Sequence, residues 1–337
     1  MKKFLHRLLP LLLALSMTVL LSGCNIVDYK KASKLMDSGD YAAASEMFRT
    51  LSDYKDSAEL ADQCDYQIAS DSYESGDYAA ALELFTALGD FEDSADRANR
   101  CSYEIAAEAY ESGDYEKAYE LFTALGDYED SAERASASND KAIAAKLVGE
   151  WVSDNVDITD MIGSVISASL GTDEESQKAF SYCDFGTLTV KVTLSVSDDG
   201  TCTMAVDKDS AAGLLNAMKS AMTDGLTEYL EASFTEIAEQ AGMTLSELYA
   251  AYGAANFDEL FELVQGMKFS EFIDYIFSEV DIDSLEDDAQ EGTCTVENGK
   301  TLFVFDGEEC ASSFDVGTET LVISDPLLGD ITFSRAA

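Results

Sequence analysis

The stretch Gly76-Asp77-Tyr78-Ala79-Ala80-Ala81-Leu82-Glu83-Leu84-Phe85-Thr86-Ala87-Leu88 places Tyr78, Ala81, Phe85 and Leu88 at steps of three, four and three. That spacing sets them on one face of a helix. The small Ala81 lets a neighbouring helix approach closely, and the larger side chains fill the space around it. The same text stands 37 residues earlier as Gly39-Asp40-Tyr41 with Ala44, Phe48 and Leu51, and 37 residues later as Gly113-Asp114-Tyr115 with Ala118, Phe122 and Leu125. A second string travels with it: Tyr54-Lys55-Asp56-Ser57-Ala58, Phe91-Glu92-Asp93-Ser94-Ala95 and Tyr128-Glu129-Asp130-Ser131-Ala132. Gly39, Gly76 and Gly113 suit the left-handed conformation that ends a helix. Asp56, Asp93 and Asp130, each followed by Ser, are expected to N-cap the next one. Residues 29–146 therefore read as three stacked helical hairpins, closed by a last helix from about Asp130 to Lys146 that caps the stack.

This pattern resembles the tetratricopeptide repeat, in the Gly-x-Tyr-x-x-Ala-x-x-x-Phe part around its helix turn. It departs from that family in its period, which is about 34 there, and in lacking a helix-ending proline: Pro326 is the only proline beyond residue 10. The extra length is expected in the first helix of each pair. The resemblance implies a concave face that binds peptide segments; a short array serving as a spacer is the other reading. Cys64 and Cys101 hold equivalent positions, with Ser138 in the third. Equivalent positions in neighbouring repeats lie about 8–10 Å apart, so small packing residues are expected there rather than a metal or redox pair.

Beyond Lys146 the period changes. Leu147-Val148-Gly149-Glu150-Trp151 carries the only Trp, and Phe185 to Val196 alternates with period two, as a strand does. Ser197-Asp198-Asp199-Gly200 reads as a turn. Asn298-Gly299 joins two alternating runs, the strongest short signal for a hairpin. With Ala311 to Val316, Glu319 to Ser324 and Asp330 to Ser334, residues 147–337 contain enough short strands for a small antiparallel barrel or sandwich. From about Ser210 to Leu285 the text is instead helical. Leu214, Met218, Met222, Leu226, Leu230, Phe234 and Ile237 form a stripe, read as core or as the lining of an apolar pocket. Thr244 with Glu247 makes a capping box, and Asn256 with Glu259 resembles another. The fold class expected is α+β: an N-terminal helical repeat stack, then a β domain interrupted by a helical insertion. The order Leu-x-Gly-x-Trp, Asp-Asp-Gly-Thr and a Gly-Thr hairpin resembles the lipocalin-like domains of bacterial lipoproteins. The Asp-Gly-Thr strand, long helical insertion and Gly-Thr hairpin together resemble an uncharacterised family of exported proteins from Gram-positive gut bacteria, and no activity comes with that resemblance.

The first 23 residues have the parts of a secretory signal: Lys2, Lys3 and Arg7, then an apolar run from Leu8 to Leu20. Leu21-Ser22-Gly23-Cys24 follows and resembles a lipobox. Small Ser22 and Gly23 let the chain lie extended in a peptidase groove, and the Cys24 thiol is the nucleophile to be acylated. The apolar run is short for a bilayer span of about 20 residues. Residues 1–23 are expected to be removed, with residues 24–28 as a short tether, placing the protein outside the cytoplasm on the cell membrane. The repeats then begin close to that membrane.

Removal of the leader leaves 18 Lys+Arg against 66 Asp+Glu, a net charge of about −48. Such a surface repels nucleic-acid phosphates and anionic lipid headgroups, and neither is expected as a partner. The leader also takes His6, the only histidine. Histidine relays and histidine-ligated metals are thereby excluded. The run Asp281, Asp283, Glu286, Asp287, Asp288 fails the calcium-loop pattern, having Leu285 at the fifth position and no glycine. Asp154, Asp157 and Asp160 likewise match no motif. Six further cysteines, Cys64, Cys101, Cys183, Cys202, Cys294 and Cys310, permit many disulfide pairings, and spacing alone selects none. The function expected is a membrane-anchored, non-enzymatic binding module for an unidentified protein or peptide. The alternatives are a carrier of a small apolar ligand in the β domain and a carboxylate-based hydrolase. No cofactor, metal or catalytic residue is expected.

Overall fold

A computed structural model describes residues 25–52, 54–170, 173–280 and 289–336. Cys24 and its preceding Leu21, Ser22 and Gly23 lie outside the described residues, as does the acidic run at 281–288. The chain divides into two units, the first ending at Ala142 and the second beginning at Ile143.

Each repeat starts a helix by the same local device. Asp40, Asp77 and Asp114 accept a hydrogen bond from the backbone N–H three residues on, that of Ala43, Ala80 or Lys117. This satisfies one of the donors that a helix start leaves orphaned. The helices are α1 (25–37), α2 (Tyr41–Leu51), α3 (Ser57–Glu74), α4 (Tyr78–Leu88), α5 (Ser94–Glu111), α6 (Tyr115–Leu125) and α7 (Ser131–Leu147). Within hairpins α3/α4 and α5/α6 the first helix has 18 residues and the second 11, so the long period lengthens the first. Gly39, Gly76 and Gly113 take φ of 83°, 84° and 86° at the turn between them. Successive helices pack α2 on α3, α3 on α4, α4 on α5 and α5 on α6. Ala44, Ala81, Ala118, Phe48, Phe85 and Phe122 are completely buried at these contacts. Full burial of each phenylalanine contributes about 1.5–3 kcal/mol. Ala135 of α7 joins the same core as Phe122.

One expectation about the repeats needs correction. Asp56 and Asp93 occupy the N-cap positions of α3 and α5, but neither side chain makes the cap hydrogen bond. Their backbone sits at φ near −100° and ψ near 20°, short of the extended conformation that aims a capping carboxylate at the helix. The carboxylates of Asp56, Asp93 and Asp130 instead accept from the hydroxyls of Tyr29, Tyr66 and Tyr103, residues of the preceding helix pair.

The loops between hairpins also repeat, with one flaw. Gly89 and Gly126 lie at φ 58° and 60° with ψ near −118°, a region in which side chains are strained. Ser52 holds the equivalent place at φ 49°, ψ −117°. Ser52→Gly relieves strain of about 1–3 kcal/mol, offset by about 0.5–1 kcal/mol from the freer unfolded chain. The expected result is a net gain of stability, read as a higher urea midpoint in circular dichroism.

In the second unit, Ile143 and Leu147 at the end of α7 are buried in the core of a closed eight-stranded barrel. Its strands are β1 (Gly149–Ser153), β4 (Val192–Val196), β5 (Thr201–Val206), β6 (Gln290–Glu297), β7 (Lys300–Phe305), β8 (Glu308–Asp315), β9 (Thr320–Asp325) and β10 (Gly329–Arg335). The order around the barrel is β1-β10-β9-β8-β7-β6-β5-β4, with every pair antiparallel. Trp151 of β1 lies opposite Leu194 on one side and Arg335 on the other, so β1 closes the ring. Alternate residues point inward: Trp151, Leu194, Phe303, Leu321, Ile323, Ile331 and Phe333 are almost wholly buried. Eight strands enclose about the room their own side chains fill, and here those side chains form one core cluster. Asn298 and Gly299 turn the β6–β7 hairpin at φ 53° and 74°, the two positive angles of a type I′ turn.

The alternating run from Phe185 to Val196 is not one strand. Only Thr189–Val190, as β3, pairs with β2 (Val156–Asp157), and β4 starts at Val192. The ladder breaks because hydroxyls capture the backbone donors: Lys191 N–H donates to Ser210 Oγ and Val192 N–H to Ser153 Oγ. Two unanticipated helices, α8 (Thr159–Leu170) and α9 (Glu174–Phe180), fill the connection between β2 and β3. The insertion holds α10 (Lys208–Gln240), α11 (Leu245–Ala251), α12 (Phe257–Gln265) and α13 (Phe269–Ile276), then a 3₁₀ turn at Phe277–Glu279. It has a core of its own, built on Met222, Tyr249, Phe257, Leu260, Phe269 and Ile273. Phe180, Cys183 and Phe185 pack against that core, which removes Phe185 from the barrel. Gly225 makes this possible: a Cβ there would stand 2.6 Å from the Cys183 Cα and the Tyr182 carbonyl oxygen.

Candidate functional site

Three surfaces have the chemistry to hold a partner or stabilise a shape: a ladder of side chains along the repeats, an arginine clasp at the barrel closure, and apolar clefts around the insertion.

The ladder recurs once per repeat. Tyr29, Tyr66 and Tyr103 meet Phe48, Phe85 and Phe122 edge to face, with ring centres 5.8, 5.6 and 5.5 Å apart. Each hydroxyl donates to the aspartate that begins the next hairpin, at 2.7 Å for Asp56 and 2.5 Å for Asp130. A cation covers each tyrosine ring: Lys55 at 4.3 Å, Arg97 at 5.1 Å and Arg134 at 5.2 Å. Lys55 stands where the later repeats have Glu92 and Glu129, and Leu60 where they have Arg97 and Arg134. The cation is thus kept in space although its sequence position moves. The 37-residue spacing of Tyr29, Tyr66 and Tyr103 was present in the sequence, but the partnership with aspartate spans two helices and shows only in the fold.

Burial, and then the hydrogen bond to Asp130, push the Tyr103 phenol up to about 12. The shift stabilises the neutral phenol. Its contribution is complete below the ordinary tyrosine value near 10 and is lost as pH rises through the folded value. An alkaline titration of phenolate absorbance is expected to show Tyr103 ionising late, alongside Tyr29, Tyr66, Tyr73, Tyr128, Tyr229 and Tyr249, which are also shifted upward. Asp130→Asn should bring Tyr103 part of the way back.

At the barrel closure, the Arg335 guanidinium lies 4.1 Å over the Trp151 ring. Its Nη1 donates to the Val148 carbonyl at 2.7 Å and its Nη2 to the Lys146 carbonyl. Trp151 Nε1 donates to the Leu147 carbonyl at 2.8 Å. Three successive carbonyls at the end of α7 are satisfied in this way. Gly149 sits beside the clasp at φ 127°, a backbone conformation that strains any side chain, and a Cβ there would also fall 2.6 Å from Arg335 Nη1. Nothing near Arg335 in sequence marks this role, because its partners lie nearly the whole domain away.

The stripe on α10 divides among three environments. Leu214 and Met218 line a cleft of about 340 Å³ with Ile158, Val190, Phe277 and Leu328. Met222 and Leu226 belong to the core of the insertion. Leu230, Phe234 and Ile237 line a second cleft of about 350 Å³ with Leu248, Tyr252 and Phe257. A third, of about 480 Å³ between α8 and α9, has a mixed lining that includes Thr159, Ser167, Gln177 and Cys183.

Of the residues singled out in the repeats, Tyr41, Tyr78 and Tyr115 are half-buried, and the alanine and phenylalanine positions are fully buried. They are scaffold. Cys64 and Cys101 are also buried and unpaired. Cys202, Cys294 and Cys310 point into the barrel core as free thiols; burial pushes Cys202 up to about 11 and Cys294 up to about 12. Such thiols are poor nucleophiles. Among the described residues no three His, Cys, Asp or Glu side chains converge as metal ligands, and no helix is long and apolar enough to cross a membrane. Among the described residues, every carboxyl with a resolved shift is held below its usual range. Tyrosine hydroxyls and the Arg97 and Arg134 guanidiniums do this for Asp93 and Asp130, and hydroxyls and backbone N–H groups for Asp157, Asp173, Asp199, Glu247 and Asp315. No protein-family model matches the chain, and no curated protein matches it.

Proposed function

We propose that the chain is an exported lipoprotein, anchored through Cys24, that works as a non-enzymatic binding module with its repeats as the docking platform. The observation that carries this reading is the contrast between constant and varied positions in the repeats. The recurring tyrosine, alanine, phenylalanine and aspartate side chains are taken up in internal packing and hydrogen bonds. Exposed positions between them change from repeat to repeat, as in Lys34, Asp71 and Glu108, or Gln63, Arg100 and Ala137. A constant scaffold under a varied surface suits recognition of an extended partner.

The test is partner capture by the full chain in three forms. Loss of capture on Asp71→Lys with Glu108→Lys supports docking on the repeats. Capture unchanged by that pair but lost on Leu263→Glu with Val264→Glu moves the docking to the insertion, and the reading fails.

The second reading is a carrier of a small apolar molecule, and the cleft lined by Leu214, Met218 and Phe277 favours it. The barrel interior is filled by its own side chains, so cargo would lie outside it, between α10 and the residues Val190, Val206 and Leu328. Native mass spectrometry of the secreted, non-lipidated chain would reveal a co-purifying mass that Met218→Lys removes.

A further inference from the structure

We propose that α1 is a membrane-facing helix whose exposed side, carrying Val27, Lys30, Lys31 and Lys34, lies against anionic lipid headgroups. This rests on the reading that Cys24 carries lipid. Positions 27, 30, 31 and 34 fall on one face of a helix, and all four side chains are exposed. Val27 is 65 % exposed and the adjacent Ile26 45 %. The opposite face, with Tyr29, Ala32, Leu35 and Met36, packs into the first repeat.

The acidity of the chain as a whole disfavours anionic headgroups, and the internal repeats show that this face is a local departure from it. Where α1 has Lys30, Lys31 and Lys34, α3 has Gln67, Ile68 and Asp71, and α5 has Glu104, Ile105 and Glu108. Val27 corresponds to Cys64 and Cys101, both fully buried beneath neighbouring helices. An open stack end needs polar cover for solubility, but carboxylates would provide it, as they do over the rest of a chain with 66 Asp+Glu. Lysine is used here instead, three times within five positions, beside two exposed apolar residues. Among the described residues none of the three lysines is held in an ion pair. Val27 lies three residues after Cys24, at most about 11 Å of extended chain. A headgroup region rich in negative charge is the surface within that reach, and each lysine near it favours contact about fivefold.

The test is lysine footprinting by amine acylation on the full mature chain, held by its N-terminal lipid on vesicles of phosphatidylcholine alone or with phosphatidylglycerol. The expected result is severalfold slower modification of Lys30, Lys31 and Lys34 on the anionic vesicles, with Lys117 and Lys141 unchanged. Equal rates on both vesicles, or equal slowing of all five lysines, would overturn the proposal. The mass of the N-terminal peptide in the same digest shows whether Cys24 is lipidated. If it is not, the anchor reading fails by itself. Coupling the Cys24 thiol to a maleimide lipid then lets the footprint decide the fate of the helix face.

Discussion

Phe85→Ala is expected to destabilise the repeat stack by about 3–5 kcal/mol. The ring is completely buried in the middle repeat, with helices packed on both sides of its own. It meets Tyr66 edge to face at 5.6 Å, and the Arg97 guanidinium lies 5.7 Å from it. Truncation removes the transfer energy of the ring, leaves a cavity between α3, α4 and α5, and deprives Tyr66 of a contact worth about 0.5–1.5 kcal/mol. Phe85→Leu keeps most of the volume and should lose about 1.5 kcal/mol or less. Urea unfolding followed by helical circular dichroism reads both. A loss below about 1 kcal/mol for the alanine variant would mean that the stack does not depend on its repeated phenylalanine.

Arg335→Leu is expected to destabilise the barrel by about 2–4 kcal/mol, from lost charge-assisted hydrogen bonds and a lost cation–π contact. The Lys146 and Val148 carbonyls then lose the guanidinium that satisfies them. Lysine should not restore the loss, since an ammonium lacks the rigid fork that reaches two carbonyls while lying flat on an indole. Trp151 is the only tryptophan, so indole fluorescence reports this site directly. The variant should show red-shifted emission and an earlier unfolding midpoint. Unchanged emission would place the strength of the closure in the strand pairing rather than in the clasp.

Much of the fold was legible because it is locally encoded. The Gly-Asp-Tyr starts, the Asn298-Gly299 turn and the Thr244–Glu247 capping box each act within four residues, and the structure has each of them. The misread places share a different cause. The alternation of Phe185 to Val196 is a good strand pattern, yet Phe185 packs on the insertion and two serine hydroxyls from distant segments interrupt the ladder. Asp56 and Asp93 have the right residue type for a cap, but a tyrosine from the previous hairpin claims the carboxylate. Arg335 carries no local mark at all.

By itself the sequence determined the repeat period, the buried face of each repeat helix, the change to strands after Lys146 and the place of the insertion. These follow from side-chain periodicity and from turn residues whose partners are near neighbours in the chain. Only the tertiary structure decided that the barrel closes between β1 and β10, that its interior is filled, and that the α10 stripe divides between a core and two clefts. The tyrosine–aspartate ladder and the Arg335 clasp belong with these, since their partners stand 27 to 189 positions apart. Contacts of that kind depend on how elements pack in space, and no window along the chain contains them.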